Sequence, residues 1–140
     1  MPTNGLRPGE VIIYPYRWAR EAADRRSPEG SKERPCGVVV AAVAASGRTH
    51  LLLAAISSKP PRSDQEALAL PEIERRRAGI DPGRDAWIYV SEANEDVEGA
   101  SIYLTSEPAI GAISRPFLER VKAGFLHRLG ERRGAVANRT

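Results

Sequence analysis

The chain has 140 residues, 41% of them apolar and 28% charged, with a formal net charge of +3. That length holds one domain around one core, and so mild a basicity permits a phosphate-bearing partner without demanding one. A single cysteine, Cys36, and two distant histidines, His50 and His127, exclude an internal disulfide and a Cys/His metal framework.

The N-terminus lacks a signal-peptide core, and the longest apolar run breaks at Ser46-Gly47-Arg48, too early to span a bilayer. The chain reads as cytoplasmic, with no membrane contact. Residues 1–130 read as one domain and 131–140 as a basic, flexible tail.

In chain order, 1–8 is a loose arm and Gly9 to Tyr16 a first strand, weakened at its end by Pro15. Arg17 to Glu33 is dense in charge and carries Pro28 and Gly30. It reads as a long polar loop, able to form a helical turn from Trp18 to Arg26. Loops of that length in compact domains are often functional.

Cys36 to Ala45 and Thr49 to Ile56 are valine-, leucine- and alanine-rich, and the short Ser46-Gly47-Arg48 link makes them an antiparallel hairpin. Neither strand alternates cleanly, which predicts burial on both faces. The second face then needs a helix, barrel closure or another subunit to cover it.

Lys59-Pro60-Pro61 ends the hairpin, and Ala67 to Leu70 is a brief strand. Pro71 to Gly79 predicts a short helix, with acids in its first turn, Arg75-Arg76-Arg77 in its last and Gly79 closing it. The three arginines read as complements to the helix dipole rather than as a nucleic-acid patch. Ala86 to Val90 is a strand that runs into a polar stretch, Ser91 to Asp96. Ser101 to Thr105 is a further strand candidate. Ser114 and Pro116 open a terminal helix with Phe117, Val121 and Phe125 on one stripe, flanked by Leu118, Leu126 and Leu129. The order predicts a mainly-β or α+β fold: a small half-open antiparallel barrel with a long loop after its first strand, a short helix and a C-terminal amphipathic helix.

No phosphate-binding loop, nucleophile elbow or paired-cysteine motif is present. What remains is a looser constellation. Arg34 stands before Pro35 at the entrance to the hairpin, with a guanidinium shaped to grip a phosphate. Ser57 and Ser58 stand at its exit. Arg34 and Ser57 are about equidistant from the turn, so the hairpin sets them on one rim. Glu92 and Asn94 leave the later strand, where a carboxylate could take a proton from a ribose hydroxyl.

The run Lys32-Glu33-Arg34-Pro35-Cys36-Gly37-Val38, followed by Ala55-Ile56-Ser57-Ser58, resembles the PemK/MazF-like toxins of bacterial type II toxin–antitoxin pairs. Gly9-Glu10-Val11 and Trp87-Ile88-Tyr89-Val90-Ser91-Glu92 follow the same order, and the resemblance spans roughly 9–129. It implies an SH3-like barrel, a homodimer, a cognate antitoxin protein and metal-free cleavage of single-stranded RNA without a cofactor. It assigns Arg34, Ser57 and Glu92 as catalytic. It also implies that Arg17, Trp18, Arg20, Lys32, Ser58 and Asn94 bind RNA, with Trp18 stacking on a base. Family members usually carry threonine where this chain has Ser57. The alternative is a non-catalytic barrel module that binds a partner protein or nucleic acid.

Overall fold

The computed structural model describes residues 5–22, 32–101, 103–105, 107–130 and 135–138. Among them, eight strands and three helices follow one another. These are β1 (Glu10–Pro15), α1 (Ala19–Ala22), β2 (Glu33–Val43), β3 (Thr49–Ser57), β4 (Ala67–Ala69) and α2 (Glu72–Ala78). Then come β5 (Trp87–Tyr89), β6 (Glu92–Val97), β7 (Gly111–Ala112), α3 (Arg115–Gly130) and β8 (Ala135–Asn138). The strands run in the order β4-β5-β3-β2-β1-β7, with β6 on β3 and β8 on β6. Every pairing is antiparallel except β6–β8. The result is a mostly antiparallel sheet curled into a half-barrel and backed by helices. No helix among the described residues is long and apolar enough to cross a membrane.

The predicted hairpin forms, and both its faces are buried where they meet the core. Val39, Ala54 and Ile56 pack with Val11, Ile88 and the helix residues Phe117, Val121 and Phe125. Cys36, Val38, Leu51, Leu53 and Ala55 face the other way, against Tyr14, Tyr16 and Trp18. Each fully buried aliphatic or aromatic side chain of this kind contributes ~1.5–3 kcal/mol. The outer part of the hairpin projects beyond the core, leaving Val43 73% exposed.

The helices follow the predicted logic. Gly79 closes α2 in the left-handed region (φ 78), donating to Arg75 O and Arg76 O. The Ser114 hydroxyl accepts from Phe117 N at 3.3 Å, capping α3. Ser114 is itself held by buried Glu74, whose carboxylate accepts from the Ser114 amide (2.8 Å) and hydroxyl (2.5 Å). Leu118 is buried, but Leu126 is 69% exposed and lies outside the packed stripe.

Three expectations are corrected. Glu92 and Asn94 do not leave a strand into an open polar stretch, because Glu92–Val97 is itself a strand on β3 and Glu92, Asn94 and Asp96 are buried and hydrogen-bonded. Among the described residues of 101–105 there is no strand. In the tail, Ala135–Asn138 pairs in parallel with β6 instead of fraying. The helical turn expected over Trp18–Arg26 is realised as α1, and its part beyond residue 22 lies outside the described residues, as do 131–134 and 139–140 of the tail.

Candidate functional site

The site forms where two strands part. β2 and β3 share a ladder that ends at Cys36↔Ala55. Pro35, which has no N–H for a further rung, comes next. Beyond that point β2 continues on β1 (Ile13↔Pro35, Tyr14↔Arg34), while β3 continues on β5 (Ile56↔Ile88, Ser57↔Trp87). The fork opens into a cleft of about 480 Å³.

A register shift sets which residues flank the fork. The pairing changes between Val38↔Leu53 and Val40↔Leu52, placing Val39 in a bulge. Continuing the inner register two residues past Cys36↔Ala55 sets Arg34 against Ser57. Continuing the register of the hairpin tip, Val43↔Thr49, would have set Arg34 against Ser58. One bulged residue therefore decides where each strand end stands as the two strands part.

Arg34, Ser57 and Ser58 all line the cleft, with Trp18, Arg20 and Lys32. Six cations (Arg20, Lys32, Arg34, Lys59, Arg62, Arg84) face three carboxylates (Glu33, Asp81, Asp85). Such an excess attracts an anion and disfavours an apolar ligand. Arg34 lies over the Trp18 ring at 5.3 Å and Arg20 over the same ring at 5.1 Å. The indole face attracts both cations and holds them in one place. No carboxylate pairs with Arg34 among the described residues, and its buried Nε has no hydrogen-bond partner.

Ser57 is fixed in a complementary way. Its hydroxyl oxygen accepts from Lys59 N at 3.1 Å, and the Lys59 carbonyl accepts from the Tyr89 hydroxyl at 2.6 Å. Burial raises the Tyr89 pKa, so that hydroxyl keeps its proton at neutral pH. The turn after β3 is thereby tied down, and the Ser57 O–H hydrogen remains available to a ligand.

Several sequence-assigned residues lie elsewhere. Trp18 reaches the cleft but is only 5% exposed, wedged edge-on against Tyr16 and Tyr89 at ring distances of 5.1 and 5.0 Å. It serves the two arginines and offers little face to a base. Asn94 is fully buried; its Oδ1 accepts from Arg17 N and its Nδ2 donates to Arg17 O, each at 2.8 Å. Neither Asn94 nor Arg17 lines the cleft. Glu92 is also buried outside it, with Oε1 accepting from Ala19 N (2.8 Å) and the Tyr16 hydroxyl (3.1 Å). For Glu92 and Asn94 the cause is one: the polar stretch belongs to a buried strand rather than an open loop.

The sequence reading did not anticipate Lys59, Arg62, Gln65 or the Asp81–Asp85 wall. Lys59 and Arg62 were discoverable, since they stand one and four residues past the serine pair. The α2–β5 connection was not, because its place depends on Arg75. That guanidinium donates to Leu70 O (2.7 Å) and Pro82 O (2.8 and 3.1 Å) and straps the connection down. Arg76 pairs with Glu72 at 2.8 Å and Arg77 with Glu74 at 3.6 Å, so the triple arginine is structural, as expected.

Cys36 lies beneath the fork, fully buried. Burial pushes its thiol pKa far up, against a small opposing effect of Arg34, so it stays protonated and inert. The chain matches no protein-family model and no curated protein.

Proposed function

We propose that the cleft binds the phosphate backbone of single-stranded RNA and cleaves it without a metal ion, on an SH3-like half-open barrel of the PemK/MazF type. In this reading the protein is the toxin of a cytoplasmic type II toxin–antitoxin pair, acts as a homodimer and is neutralised by a cognate antitoxin. The observation that carries the proposal is the fork. Arg34, without a carboxylate partner among the described residues, lines the same cleft as Ser57, whose hydroxyl oxygen accepts from Lys59 N and whose proton is left for a ligand.

The chemistry follows from those two groups. The ribose 2′-oxygen attacks the adjacent phosphorus, forming a cyclic phosphate as the bond to the 5′-oxygen breaks. Arg34 neutralises the charge that develops on the non-bridging oxygens. Ser57 donates a neutral hydrogen bond to one of them. Preorganised donors of this kind each lower a barrier by ~3–4 kcal/mol. Arginine stays protonated and is a poor base. With Glu92 outside the cleft, the 2′-proton passes to water and the 5′-oxygen takes a proton from water.

A second reading has its own observation. The carboxylate assigned to proton transfer, Glu92, does not reach the cleft, which favours a module that binds RNA and leaves it intact. Incubation of several RNAs with the protein in EDTA separates the two. The enzyme reading expects cleavage that falls at least ~100-fold in Arg34→Ala, the scale of losing one such donor, and less in Ser57→Ala. Binding of a 2′-deoxy oligonucleotide with every RNA left whole selects the module. Equal cleavage by Arg34→Ala removes the site assignment.

A further inference from the structure

The buried face of β6 carries a polar residue at every second position, and each binds a piece of the N-terminal segment. Glu98, just past the strand, accepts from Leu6 N at 3.2 Å. Asp96 accepts from the Tyr14 hydroxyl at 2.5 Å. Asn94 clamps the Arg17 backbone on both sides, and Glu92 takes Ala19 N and the Tyr16 hydroxyl. Alternation places these side chains on one face, and the antiparallel progression fastens the incoming chain from Leu6 to Ala19.

The last two clamps bracket Trp18. That residue lies between Arg17, held by Asn94, and Ala19, held by Glu92. Its ring in turn carries the guanidinia of Arg20 and Arg34. Backbone bonds made by buried side chains on a sheet strand are rigid supports. Residues that fix others in this way govern how well a site is preorganised.

We propose that Glu92 and Asn94 are positioning residues that hold Trp18 beneath Arg20 and Arg34 and thereby set the cleft's affinity for RNA phosphate. The proposal rests on the cleft being the RNA site. It gives Glu92 a different part from the proton acceptor that family resemblance implies. The carboxylate contributes a hydrogen-bond acceptor to the protein, and its ionisation does not take part in the reaction.

Glu92→Gln keeps an acceptor oxygen for Ala19 N–H and Tyr16 O–H and removes the ionisable group. Asn94→Ala removes the clamp on Arg17. Two measurements are made on each. The first is anisotropy of a labelled single-stranded 2′-deoxy oligonucleotide, with kcat and KM on the matching RNA. The second is Trp18 emission and acrylamide quenching in a Trp87→Phe background, which needs no ligand. We expect Asn94→Ala to weaken oligonucleotide binding and raise KM by about tenfold, about the worth of one desolvated cation–π contact. Its kcat changes little and its Trp18 emission shifts red. Glu92→Ala, which removes the acceptor for Ala19 N–H and Tyr16 O–H, weakens binding and shifts the emission in the same way, and the conservative Glu92→Gln restores both toward the wild-type values.

Loss of kcat in Glu92→Gln with binding intact overturns the proposal and makes Glu92 a proton acceptor. Unchanged binding and emission in Asn94→Ala also overturn it. If the wild type binds no oligonucleotide, the RNA reading fails. Trp18 emission then still decides whether the clamps hold the indole.

Discussion

Arg34 acquires its character from its neighbours more than from its own chemistry. On an open surface a guanidinium pairs weakly and is screened by salt. Here it lies on a buried indole, with its Nε buried and without a hydrogen-bond partner among the described residues. Cys36 and Tyr16 sense its charge, yet burial holds both in the neutral form. Burial lifts the Tyr16 pKa well above its ordinary value, with Glu92 adding to the effect, and burial lifts Cys36 likewise. A raised native pKa means that the folded state keeps its proton while the unfolded chain loses it. Stability from these groups is therefore complete below about pH 8.5, where an exposed thiol ionises, and declines as pH rises further. The expected slope is up to ~1.4 kcal/mol per pH unit for each group. Urea titrations from pH 7 to 11 check this, and Cys36→Ala should delay the onset toward the tyrosine range. Stability that stays flat to pH 11 would contradict the burial of both groups.

At the level of elements, the contact between α2 and the start of α3 positions one wall of the cleft. Glu74 satisfies the Ser114 amide and hydroxyl, and Arg75 straps the following connection. Gly111 in β7 passes so close that an added Cβ would lie 2.3 Å from Arg77 O. Removing Glu74 leaves the Ser114 amide and hydroxyl without their charged partner, so Glu74→Ala should cost ~2–3 kcal/mol. Gly111→Ala forces α2 and β7 apart at a cost of ~1–3 kcal/mol. In both variants the urea midpoint falls while the m-value holds. A Glu74→Ala protein as stable as wild type would show that Ser114 finds another partner.

Across the whole molecule, the half-barrel works as a frame for charge. The net charge of +3 is modest, yet the lining of one cleft carries six cations against three carboxylates. Binding of single strands should therefore weaken with salt. For about three neutralised phosphates, the slope of log K against log salt is about −2. Anisotropy titrations over a range of potassium chloride give that slope, and Arg34→Ala should reduce its magnitude by about 0.7. A salt-independent affinity would point to recognition by apolar contact and away from the cleft's cations.

Much of the fold was legible in the sequence, because local chemistry is sufficient where it is strong. Apolar runs around Ser46-Gly47-Arg48 define the hairpin, the terminal stripe defines α3, and Gly79 marks the end of α2. Those signals depend on residues close together in the chain. The site pair was half legible: an arginine and a serine about equidistant from a turn can be read directly, and both line one cleft. The bulge at Val39, which shifts the inner register of the hairpin by one residue, could not be read, since a valine looks the same in or out of register. Nor could the fate of Glu92 and Asn94. A polar run after a strand looks solvated, and it becomes a buried ladder only when the N-terminal segment supplies donors and acceptors from more than seventy positions away. The sequence by itself determined the elements and the two ends of the hairpin. Only the tertiary structure decided which residues share the cleft and which ones hold it, because burial and distant pairing set the cost of every polar group.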